Sequence, residues 1–236
     1  MLFIFVEKAK WNFKNAMKSI AYQNRLFFSL VMIWTVFGAV YVSCSQKTDL
    51  VYFFSDHRSA WSDFLFIYLT KLGEEPAYVL IVLFLMLKKI RHGLLIGAIG
   101  FVVMGISFLL KNLFLIDRPL AFFRKNNLIE TINLVAGVDV HTGATSFPSG
   151  HAMSAFALYS LLILYLPNKA RYVIPLFGIA VCVAISRVYL VQHFFPDVYA
   201  GSIIGVALAL LFYSIDQRWI LSEDHFMEKP LWRKKA

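Results

Sequence analysis

Charged residues are scarce in this chain, and their scarcity excludes most soluble folds. Only 16% of its 236 residues are charged, whereas 59% are hydrophobic. Soluble domains usually contain about 25% charged and about 45–50% apolar residues. The few charges are concentrated at the two ends and in short connections between apolar runs. This distribution is typical of a membrane protein.

Cysteine is rare, and the sequence has no internal repeat, low-complexity tract or Pro- or Gly-rich linker. Cys44 and Cys182 both lie in apolar stretches, so we expect two buried free thiols and no disulfide. The length suits one membrane domain, which we predict over residues 26–215. We expect an amphipathic cytoplasmic segment, residues 1–25, before it and a basic cytoplasmic tail, residues 216–236, after it.

Acidic residues are the scarcer of the two charge types. The chain has 14 acidic and 23 basic residues, with a formal net charge of +9. A basic surplus can indicate nucleic-acid binding, but here it lies beside apolar segments, where it favours contact with anionic lipid headgroups. We therefore expect the lipid bilayer as a partner and no nucleic acid. The sequence leaves the oligomeric state open.

Long uncharged runs predict an all-α, polytopic membrane protein with six transmembrane helices. A helix needs about 20 apolar residues to cross a bilayer. The second candidate has 12 residues, which rise only about 18 Å, so we expect it to begin earlier or to extend further. The six candidates are Leu26–Gln46, Pro76–Leu87, Gly93–Leu110, Ala152–Asn168, Tyr172–Ser186 and Val198–Ile215.

The connections between these helices predict the orientation of the chain. Five Lys or Arg residues lie in residues 1–25, three in 88–91, two in 168–171 and five after residue 216. This alternation satisfies the positive-inside rule when both termini are cytoplasmic, in an inner or plasma membrane. The first outer connection, residues 48–75, contains aromatic residues that predict a short helix lying in the membrane interface.

Small residues and polar clusters interrupt the apolar pattern. Gly93, Gly97, Gly201 and Gly205 have the spacing of closely packed membrane helices. Charged side chains beside lipid cost roughly 2.5–3.5 kcal/mol at a helix centre, and less near the interface. In the six-helix topology all the polar clusters fall on the periplasmic or extracellular face, which indicates an anion site there. The clusters are Lys111…Asp117-Arg118-Pro119, Pro148-Ser149-Gly150-His151 and Ser186-Arg187…His193…Asp197.

Two of the clusters have the features of helix ends. Lys111 and Arg118 are seven residues apart, so they share a face if the helix continues until Pro119 ends it. Alone, the pair could be an interfacial anchor. Pro148 fits the first turn of the next helix, where the free amides of Ser149-Gly150 form a ready anion site at the positive end of the helix dipole.

The histidines allow more than one interpretation. A carboxylate such as Asp197 can fix the tautomer of His193 and leave the other ring nitrogen free as a nucleophile or base; a purely structural pair is the alternative. Together with His151 the two residues could also form a metal site. Nearby cations would repel a divalent ion but suit a phosphoryl group. These cations are Lys111, Arg118 and Arg187.

Taken together, the clusters resemble the type 2 phosphatidic acid phosphatase (PAP2) superfamily. The pattern K-x6-R-P, P-S-G-H and S-R-x5-H-x3-D is met at every position, and the six predicted helices resemble the membrane branch of that superfamily. The resemblance extends over residues 26 to 215. It implies a lipid phosphatase that needs no metal or organic cofactor.

The resemblance also implies a role for each motif residue. His193 would attack phosphorus to form a phosphohistidine, Asp197 would orient it, and His151 would protonate the departing oxygen. Water would then release phosphate. The residues that would hold the phosphoryl oxygens are Lys111, Arg118, Ser149, Gly150 and Arg187.

An outward-facing site at the membrane surface predicts a lipid phosphate or diphosphate as substrate. Candidates are undecaprenyl diphosphate, phosphatidate, phosphatidylglycerol phosphate and a lipid A phosphate. Phosphotransfer to an alcohol and non-catalytic binding or transport of lipid phosphates are the alternatives. We also expect the loop that follows Pro119 to contact substrate, with aromatic residues on the lipid chain and basic residues on a polar group. The loop residues concerned are Phe122, Phe123, Arg124 and Lys125.

Overall fold

The protein is described by a computed structural model that covers residues 20–166 and 170–218. Within these ranges the chain is helical and contains no β-strand, which confirms the predicted all-α class. The predicted amphipathic segment and basic tail lie largely outside the described residues. The helices are α1 Arg25–Cys44, α2 Asp49–Asp56, α3 Ala60–Lys71, α4 Glu75–Met86, α5 Ile90–Phe114, α6 Pro119–Lys125, α7 Gly150–Tyr165, α8 Ala170–Tyr189 and α9 Phe195–Arg218, with a 3-10 turn at Ile129–Thr131.

Apolar helices occur at all six predicted positions, and they differ in length. Four of them, α1, α5, α8 and α9, are long and apolar enough to cross a membrane. The other two, α4 and α7, have 12 and 16 residues. Helix α4 begins at Glu75 with Pro76 in its first turn, as expected from its short apolar run. That α4 and α7 also cross the bilayer stays a prediction.

Helix α7 forms the centre of the bundle. It packs against α5, α8 and α9, and every residue from Ala152 to Leu164 except Ser154 is buried. A helix that is hydrophobic on all sides is typical of a position buried within a protein or within a membrane. The apolar sequence of α7 is therefore explained by its central place, and its first residues are held where the surrounding helices end.

Glycines bring α9 close to α7. A Cβ atom added at Gly201 would lie 2.5 Å from the carbonyl oxygen of Ser149, and one added at Gly205 would collide with the carbonyl of Met153. Gly93 is similarly packed against Met86 of α4. The predicted close packing is confirmed at these three glycines but not at Gly97, where a Cβ atom would meet only Val82 Cγ2 at 3.9 Å. The consequence of the close packing is that the start of α9 lies beside the start of α7.

The first outer connection differs from the prediction, because it contains two helices, α2 and α3, instead of one. Both pack against α8, while Trp61, Phe64 and Tyr68 of α3 remain exposed. Their location in the membrane interface stays a prediction.

The expected burial of the cysteines is wrong: Cys44 is exposed and Cys182 is partly exposed, although both are free thiols. They lie on outer helix faces, where apolar residues also remain uncovered.

Candidate active site

The first motif does not lie on one continuous helix. Helix α5 ends at Phe114 because Leu115 adopts a left-handed conformation with φ 48°. Arg118 then caps α6, and Pro119 occupies the first turn of that helix, where a missing N–H has no cost. The expectation that Pro119 ends a helix carrying both Lys111 and Arg118 is therefore wrong. Lys111 nevertheless lies within electrostatic range of Arg118 and Arg187.

Arg118 is held by hydrogen bonds to two parts of the chain: the segment before the second motif and the residue that precedes His193. Its backbone amide donates to the carbonyl of Gly143 at 2.8 Å, and its Nε donates to Thr145 Oγ1 at 3.1 Å. Its Nη1 lies 3.3 Å from the carbonyl oxygen of Gln192, the residue that precedes His193. These bonds hold a buried guanidinium next to His193.

The second motif forms the N-terminus of α7. Ser149 is the N-cap, with its hydroxyl accepting from the Ala152 amide, and Pro148 precedes the helix instead of lying in its first turn. The Ser149 amide is not free as expected, because it donates to the carbonyl of Asp197 at 3.0 Å. Among the described residues nothing accepts from the Gly150 amide.

Gly150 faces the first motif. A Cβ atom at this position would lie 3.0 Å from Ser107 Oγ and 3.8 Å from Lys111 Nζ. The absence of a side chain therefore lets the ammonium group approach the start of α7. An unbonded amide, a helix N-terminus and an ammonium group together form a site that favours an anion.

The third motif places His193 and Asp197 in the protein interior, where both are nearly completely buried. Asp197 Oδ2 accepts from Ser146 Oγ at 2.5 Å and from the Phe194 amide at 3.0 Å. Its distance to His193 Nδ1 is 3.6 Å, longer than a direct hydrogen bond, and Ser146 Oγ lies 3.5 Å from the same ring nitrogen. Ser146 therefore bridges the pair, and Nδ1 of His193 is the nitrogen that faces the carboxylate.

His193 lies between α8 and α9, outside the apolar helices, and it is held in the neutral form. Burial lowers the pKa of His193 to about 4; Arg118 and Arg187 act in the same direction, and Asp197 opposes them. The unshared electron pair that a nucleophile needs is thus present at neutral pH.

This lowered pKa predicts that folding stability depends on pH. Between about pH 6.5 and about pH 4 the unfolded chain protonates His193 and the folded chain does not, so stability should fall as the pH is lowered through this range. We expect the free energy of unfolding of the wild-type protein to fall by up to about 3 kcal/mol relative to that of a His193→Gln variant. Thermal unfolding of both proteins in detergent at several pH values measures this difference, and a constant difference would contradict the prediction.

Arg187, near the end of α8, is a buried cation with incomplete hydrogen bonding. Its Nη1 donates to Thr70 Oγ1 of α3 at 2.7 Å, while its Nε has no hydrogen-bond partner among the described residues. Leaving a buried charged donor unpaired is costly. Arg187 also lines a cleft, so its positive charge favours an anion in that cleft.

The cleft has a volume of about 1280 Å³ and a polar end that continues into an apolar groove. Lys111, His141, His151 and Arg187 line the polar end. The groove runs between α4 and α5, where its lining includes Val79, Val82, Leu83, Gly97, Phe101, Met104 and Phe108. The geometry therefore suits a molecule with an anionic head and an apolar tail.

His151 lies in the first turn of α7, at the polar end of the cleft. It interacts electrostatically with Arg187, His193, Lys111 and Arg118, so the two histidines lie at one site and at the same end of the bundle. About one third of its side chain is exposed. His151 is thus the more accessible of the two imidazoles.

Several residues at the site were missed by the motif analysis. Ser146 bridges the His193–Asp197 pair. The carbonyl oxygen of Gln192 accepts from Arg118, and the hydroxyl of Thr70 accepts from Arg187. Burial and the charges of Arg118 and Arg187 lower the pKa of His141, which lines the cleft. The only signal in the sequence was the position of Ser146 and Gln192 next to the motifs.

The predicted substrate loop is placed differently from the expectation. Phe123 is fully buried and packs against Tyr52 and Phe194. The ring of Phe122 lies 3.9 Å from Lys47 Nζ, and Lys125 forms an ion pair with Asp117 at 2.7 Å. Among the described residues that line the cleft, none belongs to this loop. Substrate contact by the loop, including Arg124, stays a prediction.

A bundle of apolar helices that brings three cations and two histidines within electrostatic range of one another, beside a cleft, is the arrangement expected of a membrane phosphatase. The model of the PAP2 superfamily matches residues 92–221, more than half of the chain. The chain therefore belongs to the PAP2 superfamily, as the motifs indicated.

Relatives and solved structures agree with this assignment. Phosphatidylglycerophosphatase B of Bacillus subtilis is 34% identical over 143 residues, which cover 48% of this chain and 70% of that protein. The crystal structure of Aquifex aeolicus LpxE aligns with a TM-score of 0.58 and 26% identity, over 70% of this chain and 92% of the other. The transmembrane PAP2-type phosphatidylglycerolphosphate phosphatase from Bacillus subtilis aligns with a TM-score of 0.52 and 26% identity, over 82% and 96%.

Proposed function

We propose that the protein is a metal-independent membrane lipid phosphatase that acts through a phosphohistidine at His193. The observation that carries the proposal is the polar end of the cleft, where Arg187, a buried guanidinium whose Nε has no partner among the described residues, lies together with His151 and Lys111. Phosphoryl transfer depends mainly on positioning and on fixed charges that stabilise the transferring group. The site supplies fixed charges of this kind from Lys111, Arg118 and Arg187.

The reaction has two steps. In the first, Nε2 of His193 attacks phosphorus, the bond to the leaving oxygen breaks, and His151 gives a proton to that oxygen. In the second, water attacks the phosphorus, His151 takes a proton from the water, and the N–P bond breaks to release phosphate. Asp197 and Ser146 stabilise the positive charge on the His193 ring, and the three cations hold the phosphoryl oxygens.

The apolar groove supports a lipid as the substrate, with its phosphate at the polar end and a hydrocarbon chain between α4 and α5. Two of the compared proteins are named for phosphatidylglycerophosphate, so we propose this lipid as the first substrate to test. The charge distribution supports an outward-facing site with both termini in the cytoplasm, and the six apolar helices support six membrane crossings.

Phosphate release from a panel of purified lipid phosphates tests the proposal. The panel contains phosphatidylglycerol phosphate, phosphatidate, undecaprenyl diphosphate and a lipid A phosphate, each in detergent with EDTA, with and without vanadate. We expect EDTA-resistant release that vanadate inhibits. Formation of a phosphorylated alcohol would instead indicate a phosphotransferase. Binding without release across the whole panel would indicate a non-catalytic binder, and loss of activity in EDTA would contradict metal independence.

Filling the groove should separate lipid substrates from soluble ones. We expect Gly97→Leu to reduce turnover of a long-chain lipid phosphate about tenfold or more and to change turnover of p-nitrophenyl phosphate less than about threefold, because the added side chain projects into the space for the hydrocarbon chain. Gly105→Leu is the matched control, since a Cβ atom at Gly105 has no neighbour within 4 Å. Equal effects on both substrates would contradict the lipid-groove assignment.

A further inference from the structure

Glu74 is a residue outside the three motifs whose carboxylate faces the catalytic end of the cleft. It is the N-cap of α4, yet its side chain makes no capping hydrogen bond. Its Oε1 instead lies 3.5 Å from Nε2 of His151, and the two side chains are partly buried to a similar extent. The short side chain of aspartate commonly accepts from the helix amides at an N-cap, whereas the longer side chain of Glu74 extends away from them, toward His151.

The turn that carries Glu74 is attached to the helix that carries His151. Tyr159 of α7 donates to the carbonyl of Leu72 at 2.8 Å, and Ser154 of α7 donates to the carbonyl of Gly73 at 3.0 Å. A Cβ atom at Gly73 would lie 2.5 Å from Val183 Cγ1 and 3.4 Å from the carbonyl oxygen of His151. The glycine thus permits close packing, and the hydrogen bonds fix the distance between the carboxylate and the imidazole.

The surroundings of His151 are otherwise positive. Lys111 of α5, Arg118 before α6, Arg187 of α8 and the ring of His193 all interact with it electrostatically, and each opposes a positive charge on its ring. An acid that protonates an alkoxide-like leaving group must nevertheless carry a proton when the bond breaks. Glu74 is the carboxylate that the structure places against His151, since Asp197 is bonded to Ser146 and to the Phe194 amide.

We propose that Glu74 is a positioning residue that orients His151 and favours protonation of its ring when substrate is bound, so that Nε2–H faces the carboxylate and Nδ1–H donates to the departing oxygen. The proposal rests on the proposed phosphatase function and concerns the first step of the reaction. In that step the P–O bond breaks, its electron pair goes to the departing oxygen, and that oxygen takes the proton from Nδ1 of His151. Glu74 gives up and takes no proton in this step, and it touches no reacting atom.

Leaving-group dependence distinguishes this role from a structural one. An alcohol needs a proton to depart, whereas p-nitrophenolate does not. We expect Glu74→Gln to slow phosphoryl transfer from phosphatidylglycerol phosphate about 100-fold, within the usual contribution of a general acid, and transfer from p-nitrophenyl phosphate less than about threefold. Single-turnover release of the alcohol and the burst of p-nitrophenolate measure the two transfer rates.

Two further variants complete the experiment. Glu74→Asp keeps the charge and should have a lipid rate between those of the glutamine variant and the wild type. If the glutamine variant does not fold, the ratio of lipid to p-nitrophenyl phosphate rates in Glu74→Asp tests the role instead. Glu130→Gln removes the same charge from an exposed glutamate that does not line the cleft and should keep the wild-type ratio. Equal losses with both substrates, or no loss with either, would overturn the role of Glu74. A wild-type protein that releases no phosphate from any substrate would instead refute the proposed function.

Discussion

A His193→Asn variant is expected to release phosphate on the order of 10⁴-fold or more slowly than the wild-type protein, as when the nucleophile of a catalytic set is removed. The reason is that His193 is neutral, buried and aligned by Asp197 and Ser146, and no other imidazole at the site is held in this way. Asparagine fills a similar volume without a nucleophilic nitrogen. Release of radiolabelled phosphate from the lipid substrate measures the loss.

The same label shows whether the intermediate is covalent. We expect quenched wild-type protein to carry phosphate in an acid-labile, base-stable form, and the asparagine variant to carry none. His57→Asn is the matched control, because His57 is exposed and its ring nitrogen bonds only to the Phe53 carbonyl in its own helix. Wild-type turnover by the His193 variant, or a phosphoenzyme that persists in it, would refute the assignment of the nucleophile.

The kcat/KM of an Arg187→Met variant is expected to be about 10²–10³-fold lower than that of the wild type. This corresponds to roughly 2.7–4 kcal/mol of transition-state stabilisation for one preorganised donor. Arg187 lines the cleft and is held by Thr70, so no side chain needs to reorganise when charge develops on the phosphoryl group. Methionine keeps most of the apolar stem and should fold. Initial rates at subsaturating lipid phosphate measure the effect.

Arg187→Lys separates charge from geometry. Lysine keeps the positive charge but lacks the planar fork that binds two oxygens, so we expect an activity between those of the methionine variant and the wild type. Arg171→Met, at the exposed opposite end of α8, is the control for removing an arginine from this helix. If Arg187→Met had the same kcat/KM as Arg171→Met, Arg187 would have no role in holding the phosphoryl group.

The number and position of the apolar helices could be predicted because hydrophobicity over about 20 residues is a local property of the chain. The break after Phe114 could not, since it depends on the left-handed conformation of Leu115 and on bonds from Arg118 to residues far along the chain. The second helix of the first outer connection was missed for a related reason. Both of its helices pack against α8, and that contact is not encoded in their own periodicity.

By itself the sequence determined the class of protein and the family, and it predicted the residues that we propose to carry its chemistry. These follow from composition and from short motifs whose residue types are dictated by the reaction. Only the tertiary structure decided how those residues are supported: Ser146 beside His193, Thr70 beside Arg187, and Glu74 beside His151. The physical reason is that hydrogen bonds act over about 3 Å in space, and partners at that distance are separated by many residues along the chain.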